Sequence, residues 1–174
     1  MSLCVVAYPE ISAVDRVRIQ EFRRRNDAYF HVVEPHFTLI FPTTDWEPER
    51  FIAEVRKGSA GCVPFRFCVR AAALNKDFSG ELYHAFLVPD EGHSQLLKLR
   101  YGLIAGRFFC PDVYEIDFIP HIGVGNSTDP RRCAAMVEAW NSEEFAIEGW
   151  VRELDVCGYE GDRVTTIRRV PLGS

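Results

Sequence analysis

A weak internal repeat limits the possible folds of this chain more than any other feature of its sequence. Each copy begins with Pro-His at the start of a predicted strand, at Pro35-His36 and at Pro120-His121. An acidic residue that can cap a helix follows in each copy, Asp45 in the first and Asp129 in the second. After this cap, both copies have the apolar spacing of a helix. The same order of elements therefore occurs twice in one chain.

Each copy continues with a further pair of matching segments. A predicted strand contains Val-Arg, at Val69-Arg70 and at Val151-Arg152, and its hairpin partner ends in Val-Pro. The repeat units thus span about residues 36–89 and 121–171. Two long copies favour two equivalent lobes packed about a pseudo-twofold axis over a solenoid of many short repeats. We therefore predict a single α+β domain, residues 1–174, with two pseudo-symmetric lobes around a central cleft.

Composition excludes several classes of protein. Of the 174 residues, 47% are hydrophobic and 26% are charged, which is typical of a globular domain. The net charge of −5 argues against binding to extended nucleic acid, which needs a strong basic excess. The sequence lacks an apolar run long enough to cross a bilayer, and its first residues lack the basic start of a signal peptide. We therefore expect a cytoplasmic monomer with no membrane partner.

The cysteines carry a separate expectation. Cys4, Cys133 and Cys157 each fall among apolar neighbours, and the sequence contains no C-x-x-C pair. A chain of this size and apolar content does not need disulfides for stability. We therefore expect these three cysteines to be reduced and to lie in the core.

The first predicted helix begins at a capping pattern. The hydroxyl of Ser12 can accept a hydrogen bond from an early helix N–H, and Val14, Val17 and Phe22 follow at helical spacing. This spacing predicts an apolar helix face that contains these three side chains. The run Arg23–Arg25 is flanked by acidic residues, which predicts a solvated helix face for the arginines.

The two repeated histidines are the strongest candidates for chemistry. If the lobes are equivalent, His36 and His121 face one cleft across the twofold axis. Imidazole has a pKa of about 6.5, so one ring can accept a proton while the other donates one. Thr38 lies on the same strand face as His36 and offers a hydroxyl to a phosphate oxygen. A metal site at His31, Glu34 and His36 is not expected, because the proline between the last two breaks any helix that would align them.

The strings PHFTL at residues 35–39 and PHIGV at residues 120–124 resemble the paired H-x-T/S motifs of the two-histidine (2H) phosphoesterases. This superfamily includes the 2′-5′ RNA ligase-like proteins and the cyclic nucleotide phosphodiesterases. The resemblance implies two lobes, each an antiparallel sheet with helices on the outside, that line a central cleft. It also implies metal-independent opening of cyclic or 2′-5′ phosphodiesters, with His36 and His121 as the acid–base pair and Thr38 as a phosphate donor.

The second motif departs from this family because Gly123 stands where the family has Thr or Ser. Glycine has no hydroxyl, so one of the two phosphate ligands is missing. A backbone N–H near Gly123 or Gly125 can replace it, since glycine lets a phosphate approach the chain closely. Ser127 or Thr128, at the turn from strand to helix, can also reach the site.

Other residues are candidates for binding the rest of a substrate. Tyr8 ends the first predicted strand, where a nucleobase could stack on it, and Tyr83 is a lesser candidate of the same kind. Arg70 and Arg152 alternate with apolar neighbours, so each guanidinium points either into the cleft, where it would favour phosphate, or to the outer face of the sheet. The strand position of His84 allows it to lie at the edge of the cleft.

These observations lead to one predicted function and two alternatives. The predicted reaction opens a ribose 2′,3′-cyclic phosphate or a related phosphodiester of a small nucleotide or RNA end, with water as the attacking group. It needs no metal or organic cofactor, and its rate has a bell-shaped dependence on pH around neutrality. One alternative is a nucleotide- or RNA-end-binding protein of the same fold whose catalysis has decayed at Gly123. The other is an unrelated α/β domain in which both histidines are structural.

Overall fold

The computed structural model describes residues 1–77, 81–105 and 118–173 of the protein. The sequence pattern also predicts a turn at 77–80, which lies partly outside these residues, and a loop at 109–115, which lies wholly outside them. The described elements follow one another in this order: β1 (Ser2–Ala7), β2 (Glu10–Ile11), α1 (Ala13–Asn26), β3 (Phe37–Thr43), α2 (Pro48–Gly58), β4 (Phe65–Lys76), β5 (Tyr83–Glu91), α3 (His93–Ile104), β6 (Ile122–Ser127), α4 (Pro130–Asn141), β7 (Ile147–Val151), β8 (Glu153–Glu160) and β9 (Arg163–Pro171).

The strands of the described residues form one sheet in the order β2-β7-β4-β5-β6-β3-β1-β8-β9. Every pair of neighbours in this order is antiparallel. The sheet is strongly curled and carries the four helices of the described residues, so the predicted α+β class with antiparallel strands is confirmed.

The sheet changes from one lobe to the other where β6 meets β3, and the register of these two strands is the single pair Phe37–Ile122. On one side, α1 packs on β6, and α4 packs on β4, β5 and β6. We call this side, with β2 and β7, the β6 lobe. On the other side, α3 packs on β3, and α2 packs on α3 and β9. We call this side, with β1 and β8, the β3 lobe.

The strand order relates β3 to β6 across this junction, then β1 to β5, and then β8 to β4. If β2 and β7 are left out, the segment β1-α1-β3-α2-β4 therefore occupies positions equivalent to those of β5-α3-β6-α4-β8. Each segment contributes elements to both lobes, and each begins one strand and one helix before its Pro-His pair. The sequence repeat matches β5 with β9, whereas the sheet places β5 opposite β1 and leaves β9 at an edge.

Both central strands carry an irregularity at the same distance from their histidine. The register shifts between Thr38 and Ile40 where β3 pairs with β1, and between Gly123 and Gly125 where β6 pairs with β5. A bulge bends a strand and changes the direction of the side chains beside it, and such bulges are frequent next to active sites. The backbones of the two strands therefore share a local shape as well as a position.

Two predicted helix starts are confirmed and one is wrong. Ser12 caps α1 and Asp129 caps α4, each by accepting a hydrogen bond from a backbone N–H in the first turn. The predicted cap at Asp45 is wrong, because α2 begins at Pro48 and its flanking residue is Glu47. Asp45 adopts a left-handed φ of 66°, so the chain turns there before the helix begins.

The buried face of α1 differs from the predicted one. Val14 and Val17 are 78% and 56% exposed, whereas Ile19 and Arg23 are buried. Ile19 and Arg23 are four residues apart and therefore lie on one face of the helix. Phe22 packs against the core as expected. The predicted inward orientation of the two valines and the predicted solvation of Arg23 are therefore wrong.

Cys4, Cys133 and Cys157 are buried and free, which confirms the prediction that they are reduced core residues. Among the described helices, none is both long enough and apolar enough to cross a membrane.

Candidate active site

The Phe37–Ile122 pair between β3 and β6 sets the position of the two repeated histidines. Both members of the pair are fully buried. His36 and His121 each come directly before one of them. Because side chains alternate along a strand, both imidazoles point away from the buried side, and both line a cavity of about 730 Å³. The structure therefore brings His36 and His121 to one cavity at the junction of the lobes.

Thr38 and Gly123, the second positions of the two motifs, line the same cavity. Continuing the register of the central pair places Gly123 opposite His36, and Thr38 opposite His121. The Thr38 hydroxyl lies 3.0 Å from Nε2 of His36. A Cβ built on Gly123 would have no other atom within 4 Å. The first motif thus supplies one hydroxyl to the cavity, and there is room for a second at the position where the second motif has glycine.

A backbone carbonyl fixes the tautomer of each imidazole. Nδ1 of His36 donates to the carbonyl of Glu34 at 2.7 Å, and Nδ1 of His121 donates to the carbonyl of Ile119 at 2.6 Å. A carbonyl can only accept, so each neutral ring carries its proton on Nδ1 and a lone pair on Nε2. The Thr38 hydroxyl therefore donates to Nε2 of His36. Nε2 is therefore the basic nitrogen of each ring, and in His36 it becomes available for proton transfer when the Thr38 hydroxyl turns away.

Burial lowers the pKa of both imidazoles to about 4. The carbonyl bonds to Nδ1 oppose this effect without overcoming it. Near His36, the Arg23 guanidinium lowers the pKa further and the Asp27 carboxylate raises it. Near His121, the other charges are imidazoles, His36 and His84, and both lower its pKa. Both rings are therefore neutral in the free protein at pH 7.

The aromatic neighbours of the two histidines differ. Phe86 stacks on His121, with ring centroids 3.4 Å apart and planes at 14°. His84 also stacks with Phe86, at 5.4 Å and 26°. On the other half of the site, Tyr8 meets His36 edge-on at 6.2 Å. His84 and Phe86 line the cavity, so β5 contributes a ring stack that the sequence hinted at only through the strand position of His84.

Arg23 also lines the cavity, and sequence reasoning missed it. It is 1% exposed, whereas the other two arginines of the run are exposed. Its Nε donates to Asp27 at 2.7 Å, and its Nη2 donates to the carbonyls of Tyr29 and Val33. A signal was present in the sequence, because Arg23 lies four residues after the apolar Ile19 and four before the acidic Asp27.

Two further polar residues of the cavity wall join α1 to β6. Asp27 follows α1, and its Oδ1 accepts hydrogen bonds from the N–H of Tyr29 and from the side-chain amide of Asn126, at 2.9 and 2.7 Å. Asn126 lies on β6, five residues after His121. The buried carboxylate therefore connects the segment before β3 with the strand that carries the second histidine.

The two arginines proposed from strand alternation lie elsewhere. Arg70 forms ion pairs with Asp90 and Glu91, and Arg152 forms one with Glu10. Both guanidiniums are about half exposed, and the cavity wall built by the described residues does not include them. The structure does not bring either arginine to the histidines, because the sheet turns these positions outward.

Of the remaining candidates, Gly125 lines the cavity, whereas Tyr8, Tyr83 and Ser127 are not part of its described wall. Tyr8 touches His36 but packs against Cys4 and its neighbours. Tyr83 packs against the core, with Nζ of Lys76 5.5 Å from its ring centre. Ser127, the last residue of β6, accepts a hydrogen bond from the N–H of Asp129.

The arrangement can transfer protons but offers little to a metal ion. Within residues 1–77, 81–105 and 118–173, no three His, Cys, Asp or Glu side chains are grouped as metal ligands. Next to one another at the central strand pair lie two neutral imidazoles with Nε2 as the basic nitrogen, the Thr38 hydroxyl, and the backbone at Gly123. Such a set suits an anion whose reaction requires one proton to be removed and another to be delivered.

Comparisons with known proteins agree with this geometry. The sequence profile of the 2′-5′ RNA ligase superfamily matches residues 9–163. Three solved structures illustrate the likeness: TT0787 of Thermus thermophilus, 17% identical over 99% of this chain and 98% of that one, TM-score 0.60; Escherichia coli LigT complexed with ATP, 16% identical over 99% and 98%, TM-score 0.58; and Kluyveromyces marxianus Usb1, 10% identical over 98% and 98%, TM-score 0.57. At these identities, the structural likeness shows the fold alone. No curated protein sequence matches the chain.

Proposed function

Because the chain belongs to the 2′-5′ RNA ligase superfamily, we propose that it is a phosphoesterase that opens 2′,3′-cyclic phosphate or 2′-5′ phosphodiester bonds of nucleotides or RNA ends. The observation that carries this proposal is the pair of imidazoles, His36 and His121, which line one cavity with Nδ1 bound to a carbonyl and Nε2 available. Crystal structures of E. coli LigT contain ATP, 3′-AMP or NADP⁺, which supports a nucleotide as the substrate.

The proposed reaction needs one imidazole as a base and the other as an acid. Nε2 of the neutral ring takes a proton from water, whose oxygen forms a new bond to phosphorus. The bond from phosphorus to a ribose oxygen breaks, and the protonated ring gives its proton to that oxygen. A bound phosphate anion favours the charged form of a neighbouring imidazole. Substrate binding therefore supplies the protonated ring that the free protein lacks at pH 7.

The phosphate oxygens need donors as well as a proton relay. In the free protein, the Thr38 hydroxyl donates to Nε2 of His36. A hydroxyl rotates readily, so it can turn to a phosphate oxygen and release the lone pair of His36 for proton transfer. At Gly123, the open space lets the phosphate approach the backbone.

The test is an assay of 2′,3′-cyclic nucleoside monophosphates and short 2′-5′ oligonucleotides in the presence of EDTA. We expect turnover with the chelator present, and a loss of about 10² to 10⁴ in rate for His36→Ala and for His121→Ala. His31→Ala is the matched control, because His31 is an exposed imidazole outside the cavity wall. Activity that disappears with the chelator, or full activity of His36→Ala, would contradict the proposal.

One observation favours a second candidate function. The missing hydroxyl at Gly123 is also what a nucleotide- or RNA-end-binding protein with decayed catalysis would show. This candidate predicts binding of the same ligands without turnover, and turnover after Gly123→Thr. Calorimetric titration with a 3′-nucleotide, beside the rate assay, separates the two functions.

A further inference from the structure

A buried ion pair lies at the wall of the cavity, and the proposed reaction does not use it. The side chains of Arg23 and Asp27 are 2% and 5% exposed and are joined at 2.7 Å. Taking two charges out of water is costly, so a buried pair is a weak argument for stability by itself. The partners of the pair, however, lead to both histidines.

Arg23 holds the segment that enters β3. Its Nη2 donates to the carbonyls of Tyr29 and Val33, which lie on the way to His36. Its Nη1 donates to Gln20 at 3.1 Å, and Gln20 in turn donates to the carboxylate of Glu34 at 2.6 Å.

The contacts of Arg23 therefore end at the residue that orients the first histidine. The carbonyl of Glu34 is the acceptor that fixes Nδ1 of His36. One guanidinium thus holds the chain before Glu34 through two carbonyls, and holds the side chain of Glu34 through Gln20.

Asp27 connects this segment to the other catalytic strand. Its Oδ2 accepts from Nε of Arg23, and its Oδ1 accepts from the amide of Asn126 on β6. The N–H of Ala28 donates to Oδ1 of Asn126 at 3.4 Å, so the link to β6 is double. Because His121 directly precedes β6, the carboxylate links the surroundings of both imidazoles.

We propose that Arg23 and Asp27 are positioning residues for the two-histidine site: they hold the Glu34 carbonyl against His36 and tie that segment to the strand of His121. Neither residue transfers a proton in this proposal. The inference rests on the proposed function for its kinetic consequences, whereas its structural part can be tested without a substrate.

The electrostatic surroundings of His36 provide a readout that a merely structural role would not move. The charged or titratable groups around it are Arg23 and Asp27 at the end of α1, His121 before β6, and Tyr8 after β1. The arginine lowers the pKa of His36 and the aspartate raises it. Removing the charge of Arg23 should therefore raise the pKa of His36, and removing the charge of Asp27 should lower it.

The experiment is an NMR titration of the His36 ring in the full chain, for the wild type, Arg23→Gln, Asp27→Asn and Arg23→Lys. We expect Arg23→Gln to raise the pKa of His36, Asp27→Asn to lower it, and Arg23→Lys to leave it nearly unchanged. The matched control is Arg24→Gln, which removes the same charge from an exposed neighbour and should not move the pKa.

The kinetic arm tests positioning. Arg23→Lys keeps the charge but loses the fork that holds two carbonyls, so we expect kcat to fall, by up to about 10²-fold if His36 is displaced by about 1 Å. Arg24→Gln should keep the wild-type kcat.

The outcomes are distinct. A His36 pKa that stays at the wild-type value in both Arg23→Gln and Asp27→Asn, or unchanged kcat in Arg23→Lys, overturns the proposal. If Arg23→Gln does not fold, Asp27→Asn keeps the side-chain shape and decides the electrostatic arm alone. If the wild-type protein shows no turnover, the proposed function is wrong. The pKa of His36 in the variants still decides whether the Arg23–Asp27 pair acts on this imidazole.

Discussion

The two halves of the site share a backbone and differ in their side chains. His36 and His121 flank one central residue pair, and each strand has its bulge at the same distance from the histidine. Around His36 stand a hydroxyl, a buried ion pair and the edge of a tyrosine. Around His121 stand a stacked phenylalanine and an open space. Pseudo-symmetry therefore places the two imidazoles, but it does not make them equivalent.

The charged neighbours of the two imidazoles also differ, although burial brings the pKa of both rings to about 4. The Arg23 guanidinium lowers the pKa of His36, and the Asp27 carboxylate raises it by less. His121 has imidazoles as its charged neighbours, and each of them lowers its pKa. The two halves are therefore distinguished by the groups around each ring. Each of the following predictions breaks or sharpens this contrast.

The largest effect is expected from Thr38→Val, which removes the single side-chain hydroxyl of the two motifs. Loss of one oriented donor to the reacting anion typically costs about 10² to 10³ in kcat, and the other half has no hydroxyl to compensate. Steady-state kinetics with a 2′,3′-cyclic nucleotide measure this loss. Thr43→Val is the control, because Thr43 lies on the same strand and outside the cavity wall. Equal kcat in the two variants would remove Thr38 from the reaction.

The pH dependence tests what the two halves have in common. Burial lowers the pKa of both imidazoles to about 4. The fraction of free protein in which one of the two rings is protonated therefore decreases as the pH rises above 4. The optimum of kcat/KM should therefore lie below about pH 5 instead of near neutrality, and that of kcat should lie higher, because bound phosphate raises the imidazole pKa. An optimum of kcat/KM near pH 7 would contradict the burial of both rings.

The lowered pKa values of the two imidazoles also make the stability of the fold depend on pH, so the pH profile of the rate needs a control for unfolding. An imidazole with a lowered pKa in the folded state contributes stability that is full above its unfolded pKa of about 6.5 and is lost as the pH falls towards 4. The folded fraction must therefore be followed by circular dichroism at each pH. The rate should be compared only where the chain remains folded.

A smaller effect is expected from Gly123→Thr, which makes the two halves alike. The position has open space, and its hydroxyl would stand to His121 as that of Thr38 stands to His36. We expect an increase in kcat/KM of up to about tenfold, less than the loss at Thr38, because the backbone already serves part of this function. Gly123→Val is the isosteric control. If Thr and Val have the same effect, the space matters and the hydroxyl does not.

The contrast also shows what could be predicted from the sequence. The prediction that both Pro-His motifs lie at the start of central strands and face one cleft depended on two features that are visible in the sequence. These are the alternation of side chains along each strand and the repeated order of the elements. The caps at Ser12 and Asp129 were predictable for the same reason, since each side chain bonds to its own first turn.

The parts that escaped prediction depend on packing between distant segments. Arg23 resembles its exposed neighbours in sequence, and only the carbonyls of a later segment make its burial possible. Alternation along β4 shows that Arg70 lies opposite the apolar face, but it cannot show that the cavity meets this strand only at its end, at Asn75 and Lys76. Local sequence patterns also cannot show that β4 of the first segment lies in the β6 lobe and β8 of the second segment in the β3 lobe. Both positions are set by the order of the strands in the sheet.

The smallest effect is expected at Phe86, the ring that distinguishes the surroundings of His121. Phe86→Leu keeps an apolar side chain but removes the stacked face, so water reaches His121 more easily and its pKa rises, by less than about one unit. His36 lies in the other half and serves as an internal control in the same NMR titration. A rise confined to His121 shows that the halves are tuned separately. Equal shifts of both rings would show that burial is a property of the whole cavity, and the contrast between the halves would then rest on Thr38 and the ion pair alone.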